Sequence, residues 1–155
     1  MQKYTSANTS LNQIPCVHKY IDYDSVDTIL DYGCGKYTKF KEFIESKGIE
    51  YHGYDPYHKT AKENTVALSC TPDLIVCCNV LNVIDSDIGI EALLRQIASF
   101  ECPVIFSIYE GNGTGVGKVT KKDCYQRNMK AKCYVPIISL FFGEVSRKGN
   151  VIFAK

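Results

Sequence analysis

The spacing of apolar residues changes period several times along the chain. Residues 26–32 (VDTILDY) alternate and then run into Gly-Cys-Gly, the pattern of a strand that ends in a turn. From Thr38 the period lengthens. Phe40, Phe43 and Ile44 share a helical face, with Thr38 placed to cap its start and Gly48 to end it. Residues 49–54 return to strand character and stop at Asp55-Pro56, and a weaker strand is expected at 65–68. Residues 74–78 form a short continuous apolar run, as a parallel strand buried on both faces would. Residues 85–87 offer caps for a helix that carries Ile90, Leu93, Leu94, Ile97 and Ala98 at helical spacing. Pro103 follows that helix, and 104–109 read as the next strand.

This alternation predicts an α/β fold, a mostly parallel sheet with helices on both faces. The tail breaks the rhythm. A Gly-rich loop at 111–117 leads to Thr120-Lys121-Lys122-Asp123, which matches a capping box opening a basic helix. A short helix is expected from Pro136 to Gly143. Residues 144–147 and 150–154, joined across Lys148-Gly149, read as a closing antiparallel hairpin. No repeat or linker interrupts the 155 residues, which fit a single domain.

Composition narrows the class. An apolar fraction of 45%, a charged fraction of 23% and a net charge of +1 are those of an ordinary globular protein, with no global field for nucleic acid or membrane. The longest apolar run, 74–84, is interrupted by Asn79 and Asn82 and is too short to span a bilayer. The polar N-terminus lacks the apolar core of a signal peptide, so a cytoplasmic location is expected. Several of the eight cysteines (Cys34, Cys70, Cys77, Cys78, Cys102) sit in or beside strand-like runs and read as buried reduced thiols. Neither they nor His18, His52 and His58 have the spacing of a metal-ligand set, and no metal is expected.

The chemistry concentrates at Asp31-Tyr32-Gly33-Cys34-Gly35, after a strand and before a helix. Glycines there let the backbone approach a ligand, and the helix start supplies oriented N–H groups. The acid two residues ahead of Gly33 would repel a dinucleotide pyrophosphate and attract the ammonium of a methionine moiety. A dinucleotide fingerprint also wants a third glycine where this chain has Thr38. Both features favour S-adenosylmethionine (SAM) over NAD. Asp55, 24 residues after Asp31, closes the second strand where an acid can accept ribose hydroxyls. The bland alternative is a tight βα turn with Asp55 capping a loop.

Ile29-Leu30-Asp31-Tyr32-Gly33-Cys34-Gly35 resembles the first motif of class I SAM-dependent methyltransferases, and Tyr54-Asp55-Pro56-Tyr57 their second. Asn79-Val80-Leu81-Asn82-Val83 sits where their fourth motif follows the central strand. The segments 5–10 (TSANTS), 79–84, Tyr109-Glu110-Gly111, Gly113/Gly115/Gly117 and Tyr125-Gln126-Arg127-Asn128 further resemble the small stand-alone methyltransferases commonly encoded by bacteriophages. The resemblance covers nearly the whole chain. It implies a Rossmann-like domain and a cofactor site of Asp31, Tyr32, Gly33, Cys34, Gly35, Asp55, Pro56, Tyr57, Asn79 and Val80, with Tyr57 against the adenine. It also implies a cap formed by 1–24, an acceptor-side insertion at 110–134, and host cytoplasm as the setting. One departure is Tyr37, where many such enzymes carry a third glycine. The resemblance leaves the acceptor unnamed.

Methyl transfer from a sulfonium needs alignment first and a base only if the acceptor must lose a proton early. Open α/β sheets bind ligands at the carboxyl ends of their strands, which nominates Asn79, Asn82, Tyr109 and Glu110 as catalytic residues. Glu110 is the one candidate base, with a solvated loop acid as the competing reading. Asp55-Pro56-Tyr57 shares part of the (D/N)PP(Y/F) signature of adenine-amino methyltransferases, but not its place after the central strand. Residues 118–132 carry six basic side chains against Asp123 alone, a local +5. Lys121, Lys122 and Arg127 there read either as contacts to a phosphate-bearing or nucleic-acid acceptor or as a solvated helix face. A SAM-binding protein without transfer activity stays open as an alternative.

Overall fold

The computed structural model of the protein describes residues 10–155. Its elements in chain order are β1 (Thr28–Tyr32), α1 (Lys39–Glu45), β2 (Glu50–Tyr54), α2 (Ala61–Leu68), β3 (Leu74–Cys78), α3 (Asp87–Ala98), β4 (Val104–Ser107), β5 (Lys118–Lys121), β6 (Cys124–Gln126), α4 (Val135–Ile138), β7 (Val145–Lys148) and β8 (Val151–Ala154). Six strands form one sheet in the order β2-β1-β3-β4-β8-β7, and β5 pairs β6 in a separate hairpin. The pairs β1–β2, β1–β3 and β3–β4 are parallel; β8 runs antiparallel to both β4 and β7. The expected α/β architecture, a mostly parallel sheet closed by an antiparallel pair, is present.

The two-residue period of each strand divides the core between the faces of the sheet. Ile29, Leu74, Val76, Ile105 and Val151 point to one side, where Phe40 and Ile44 of α1 and Val17 of a 3-10 turn (Cys16–Tyr20) cover them. Leu30, Tyr32, Ile75, Phe106 and Ile152 point to the other, beneath Ile90, Leu94 and Ile97 of α3 and Ile138 of α4. Asp31 follows Ile29 on the α1 side by the same alternation, which brings a carboxylate into a buried layer. All eight cysteines are free thiols, with Cys77 and Cys124 buried and Cys16 and Cys133 exposed.

Three expectations need correction. Residues 65–68 are not a strand but the end of α2. A capping box between Thr60 and Glu63 opens that helix, and the Thr65 hydroxyl bonds back to the Ala61 carbonyl. The closing hairpin turns at 149–150, one residue later than expected, with Lys148 paired to Val151. The capping-box pattern at 120–123 opens no helix. Lys122 and Asp123 form the tight turn between β5 and β6, with Asp123 in the left-handed region (φ 61°) and Thr120 bulged out of register. Period 2 wins there because Cys124 and Gln126 are buried while Lys118 to Asp123 are exposed.

Candidate functional site

A cavity of about 850 Å³ opens at the carboxyl ends of the parallel strands, within the range of about 300–1,000 Å³ usual for small-molecule sites. Its floor is the turn after β1. The N–H groups of Gly33 and Cys34 both bond the Tyr54 carbonyl (2.7 and 3.1 Å), tying this turn to the end of β2. A Cβ on Gly33 would lie 2.3 Å from Val80 Cγ2, and one on Gly35 would lie 2.2 Å from Ser10 Oγ. Both glycines also have positive φ (88° and 69°), so side chains are excluded by conformation and by space. The turn after β1, the segment after β3 and the chain at Ser10 therefore meet in one close-packed cradle.

Two carboxylates line this cradle. Asp31 is 4% exposed and accepts a hydrogen bond from the Tyr51 hydroxyl at 2.6 Å. Burial pushes its carboxyl from an ordinary 3.8 up to about 7; the Tyr51 bond lowers it, nearby Asp55 raises it and Lys59 lowers it. Burial and Asp31 push the Tyr51 hydroxyl well above its ordinary value, so it stays a donor. Asp55, 3% exposed, is held differently. Its Oδ2 accepts from Gly35 N (2.9 Å), and its Oδ1 from Tyr57 N (2.9 Å) and His58 N (3.0 Å). The Asn64 side chain on α2 bonds both backbone groups of Asp55, each at 3.0 Å.

The thiols near the cradle are not nucleophiles. Burial, with Asp31 and Asp55 beside it, raises Cys34 to about 12, and burial drives Cys78 well above its ordinary value. Both line the cavity, although Cys78 was expected only as core.

The opposite wall comes from the segments after β3 and β4 and from the β5–β6 hairpin. Asn79 adopts a left-handed conformation (φ 57°), tolerated by Asn, and its N–H bonds the Ser107 carbonyl at 2.8 Å. Asn82 is buried. Its Nδ2 donates to Gln126 Oε1 (3.0 Å), Gln126 Nε2 donates to the Tyr109 carbonyl (2.8 Å), and Tyr109 N donates to Asn82 Oδ1 (3.4 Å). This closed ring, with a bond from Arg127 N to the Asn82 carbonyl (2.9 Å), clasps the hairpin to the sheet.

The cavity thus gathers Asp31, Gly33, Cys34, Gly35, Asp55, Asn79, Val80, Asn82, Tyr109 and Lys121 from the expected set. Six expected residues lie outside its lining. The Tyr32 hydroxyl donates to Gln96 and its ring packs in the core against Tyr54. Pro56 and Tyr57 are exposed. Glu110 Oε1 accepts from Ala131 N at 2.7 Å, which makes it an anchor for the turn Ala131–Cys133 rather than a base facing the cavity. Arg127 donates to the Ile84 carbonyl (3.0 Å) and pairs with Asp87 at the start of α3. Lys122 sits exposed in the hairpin turn.

The Gly-rich loop is pinned. Asn128 Nδ2 bonds the Val116 carbonyl (2.9 Å), and Gly115 N bonds the Asn128 carbonyl (2.7 Å). Of the expected N-terminal cap, Ser10, Leu11, Gln13 and Pro15 line the cavity, while 5–9 lie outside the described residues.

Sequence reasoning missed Tyr51, Asn64 and Gln126. Tyr51 was within reach of it: once β1 and β2 are set in register, period 2 puts residues 51 and 53 on the face of 29 and 31. Asn64 carried no local signal, and Gln126 entered only within the 125–128 segment of the resemblance, with no role attached to it. Among the described residues no group of three His, Cys, Asp or Glu side chains could hold a metal, and no helix is long and apolar enough to cross a membrane. Comparison with family models and with curated proteins found no match.

Proposed function

We propose that the protein is a SAM-dependent methyltransferase with a Rossmann-like domain. The observation that carries the reading is Asp31: a buried carboxylate on the floor of a cavity, two residues ahead of a glycine turn, with one hydroxyl as its partner. Such a group is costly to ionise alone and favours a cation beside it. SAM carries an ammonium and a sulfonium, and its activated methyl group is the chemistry it supplies when bound. Asp55 Oδ2 accepts a single backbone bond, which leaves it capacity for a ribose hydroxyl. The sheet order, with four parallel strands followed by an antiparallel pair, agrees with the arrangement that the resemblance implies. On this reading the protein works in the cytoplasm of a phage-infected cell.

Asn79, Asn82 and Tyr109 line the part of the cavity left for an acceptor, and alignment is what they supply. SAM, when bound, would supply the methyl group, and these side chains would hold the acceptor atom in line with it. The only carboxylates lining the cavity among the described residues are Asp31 and Asp55, both assigned to the cofactor. This lining suits an acceptor whose lone pair is available without a carboxylate base. That same shortage of a base favours a second reading, a SAM-binding protein without transfer activity.

Calorimetry with SAM and with NAD tests the cofactor: heat with SAM alone is expected, and heat with NAD alone would overturn the reading. Labelled SAM incubated with fractionated DNA, RNA, protein and metabolite pools then separates the two readings, since only an enzyme incorporates label.

A further inference from the structure

We infer that the acceptor is a small organic anion whose phosphate or carboxylate is held by Lys121 on the hairpin wall of the cavity. The inference rests on the SAM reading for the acidic floor. The charged side chains that line the cavity are Asp31 and Asp55 from the ends of β1 and β2, and Lys121 from β5. The cavity is thus polarised, with acids where the cradle closes and one cation on the wall that faces an acceptor. Lys121 has no ion pair among the described residues, and 1–9 contain no Asp or Glu to supply one.

Of the six basic side chains at 118–132, only Lys121 lies in the cavity lining. Arg127 is committed to Asp87 and the Ile84 carbonyl, its side chain only 17% exposed, and Lys122 lies in the turn outside the lining. A nucleic-acid strand presents a row of phosphates and is met by several cations, whereas the cavity lining among the described residues offers one. Amide side chains could in principle read a base edge. Here the Asn82 and Gln126 amides each spend one N–H and one oxygen lone pair on the ring with the Tyr109 backbone, which fixes their orientation and leaves each a single N–H for a ligand. Among the described residues the lining thus combines the Lys121 ammonium with the exposed Tyr109 side chain, a setting for a compact anion with an apolar body.

The test uses the full chain saturated with S-adenosylhomocysteine, an unreactive stand-in for SAM, at fixed ionic strength. Calorimetric titrants are phenyl phosphate, benzoate, uncharged phenol, and single-stranded DNA of about 20 nucleotides. At least one small anion should bind, with phenol weaker by about tenfold or more, the scale of one charged hydrogen bond. Lys121→Met should weaken the anion about tenfold and leave S-adenosylhomocysteine affinity within about twofold, and Lys122→Met should change neither. Absence of anion binding, equal binding to Lys121→Met, or DNA binding tighter than both anions would overturn the proposal. Failure to bind S-adenosylhomocysteine would instead remove the cofactor reading. Anion titration of the unliganded wild type and Lys121→Met would then still decide the Lys121 site.

Discussion

Asp31 and Asp55 close two neighbouring parallel strands, line one cavity and are both buried, yet the protein binds them in different ways. Asp55 accepts three backbone N–H groups from the turn after β1 and the loop after β2, so its charge is already used in holding those loops together. Among the described residues the Asp31 side chain has a single hydroxyl partner, and its carboxyl is pushed up to about 7. One acid is scaffold before it is a ligand-binding group. The other is buried at a cost in ionisation that the Tyr51 bond and Lys59 only partly offset. Asp31 lies within β1, in register with Gly53, and Asp55 just past the end of β2, so two neighbouring strand ends hold their acids in different ways.

The sharpest way to break this contrast is Asp55→Ala. It leaves three N–H groups without their acceptor, at about 1–3 kcal/mol for each that stays buried, so stability should fall by about 3 kcal/mol or more. The urea midpoint reads this directly, and an unchanged midpoint would mean that the two loops hold themselves.

Asp31 should show itself through pH. SAM binding needs its ionised form, so affinity should rise about tenfold per pH unit below 7, roughly 2.7 kcal/mol between pH 5 and 7. Affinity should fall again above about 7.7–8.0, where the ligand's α-amino group loses its proton. Asp31→Asn should weaken binding and flatten the acid limb. The unliganded fold responds with the opposite sign. The folded carboxyl keeps its proton up to about pH 7 and the unfolded one releases it near 3.8, so this group lowers stability as pH rises between those values. Above pH 7 Asp31→Asn should therefore be more stable than wild type, by about 1–2 kcal/mol once the cost of reseating the Tyr51 bond is counted. A wild-type affinity profile flat from pH 5 to 7 would remove the ammonium contact.

A smaller effect is expected from Tyr51→Phe. It keeps the ring that packs edge-on against Phe40 and removes the hydroxyl that lowers the Asp31 pKa. SAM affinity should drop about threefold to tenfold at neutral pH, with the acid limb displaced to higher pH. A purely packing role for Tyr51 would leave that limb where it is. The least effect is expected from Glu110→Gln, whose amide oxygen still accepts from Ala131 N. Transfer rate should stay within about twofold; a loss of about 100-fold or more would restore Glu110 as a general base.

Much of this molecule was legible in one dimension. The five residues of β3, the face of α3 carrying Ile90, Leu94 and Ile97, and the glycine turn between Asp31 and α1 all follow from period and turn chemistry, which act between near neighbours. The hairpin at 118–126 was not. Thr120-Lys121-Lys122-Asp123 satisfies a helix-capping pattern and a hairpin turn about equally, so local preference could not choose. Contacts far along the chain chose: Gln126 on Asn82, 44 residues away, and Arg127 on Asp87, 40 away. The same contacts hold Arg127 outside the cavity lining and leave Lys121 within it. Sequence alone determined that acids and glycines would gather at the strand ends, because each lies beside the element that carries it there. Which of those groups stay available to a ligand was decided by the tertiary structure. A polar side chain about to be buried takes whatever partner the fold brings within about 3 Å, and sequence spacing does not name that partner.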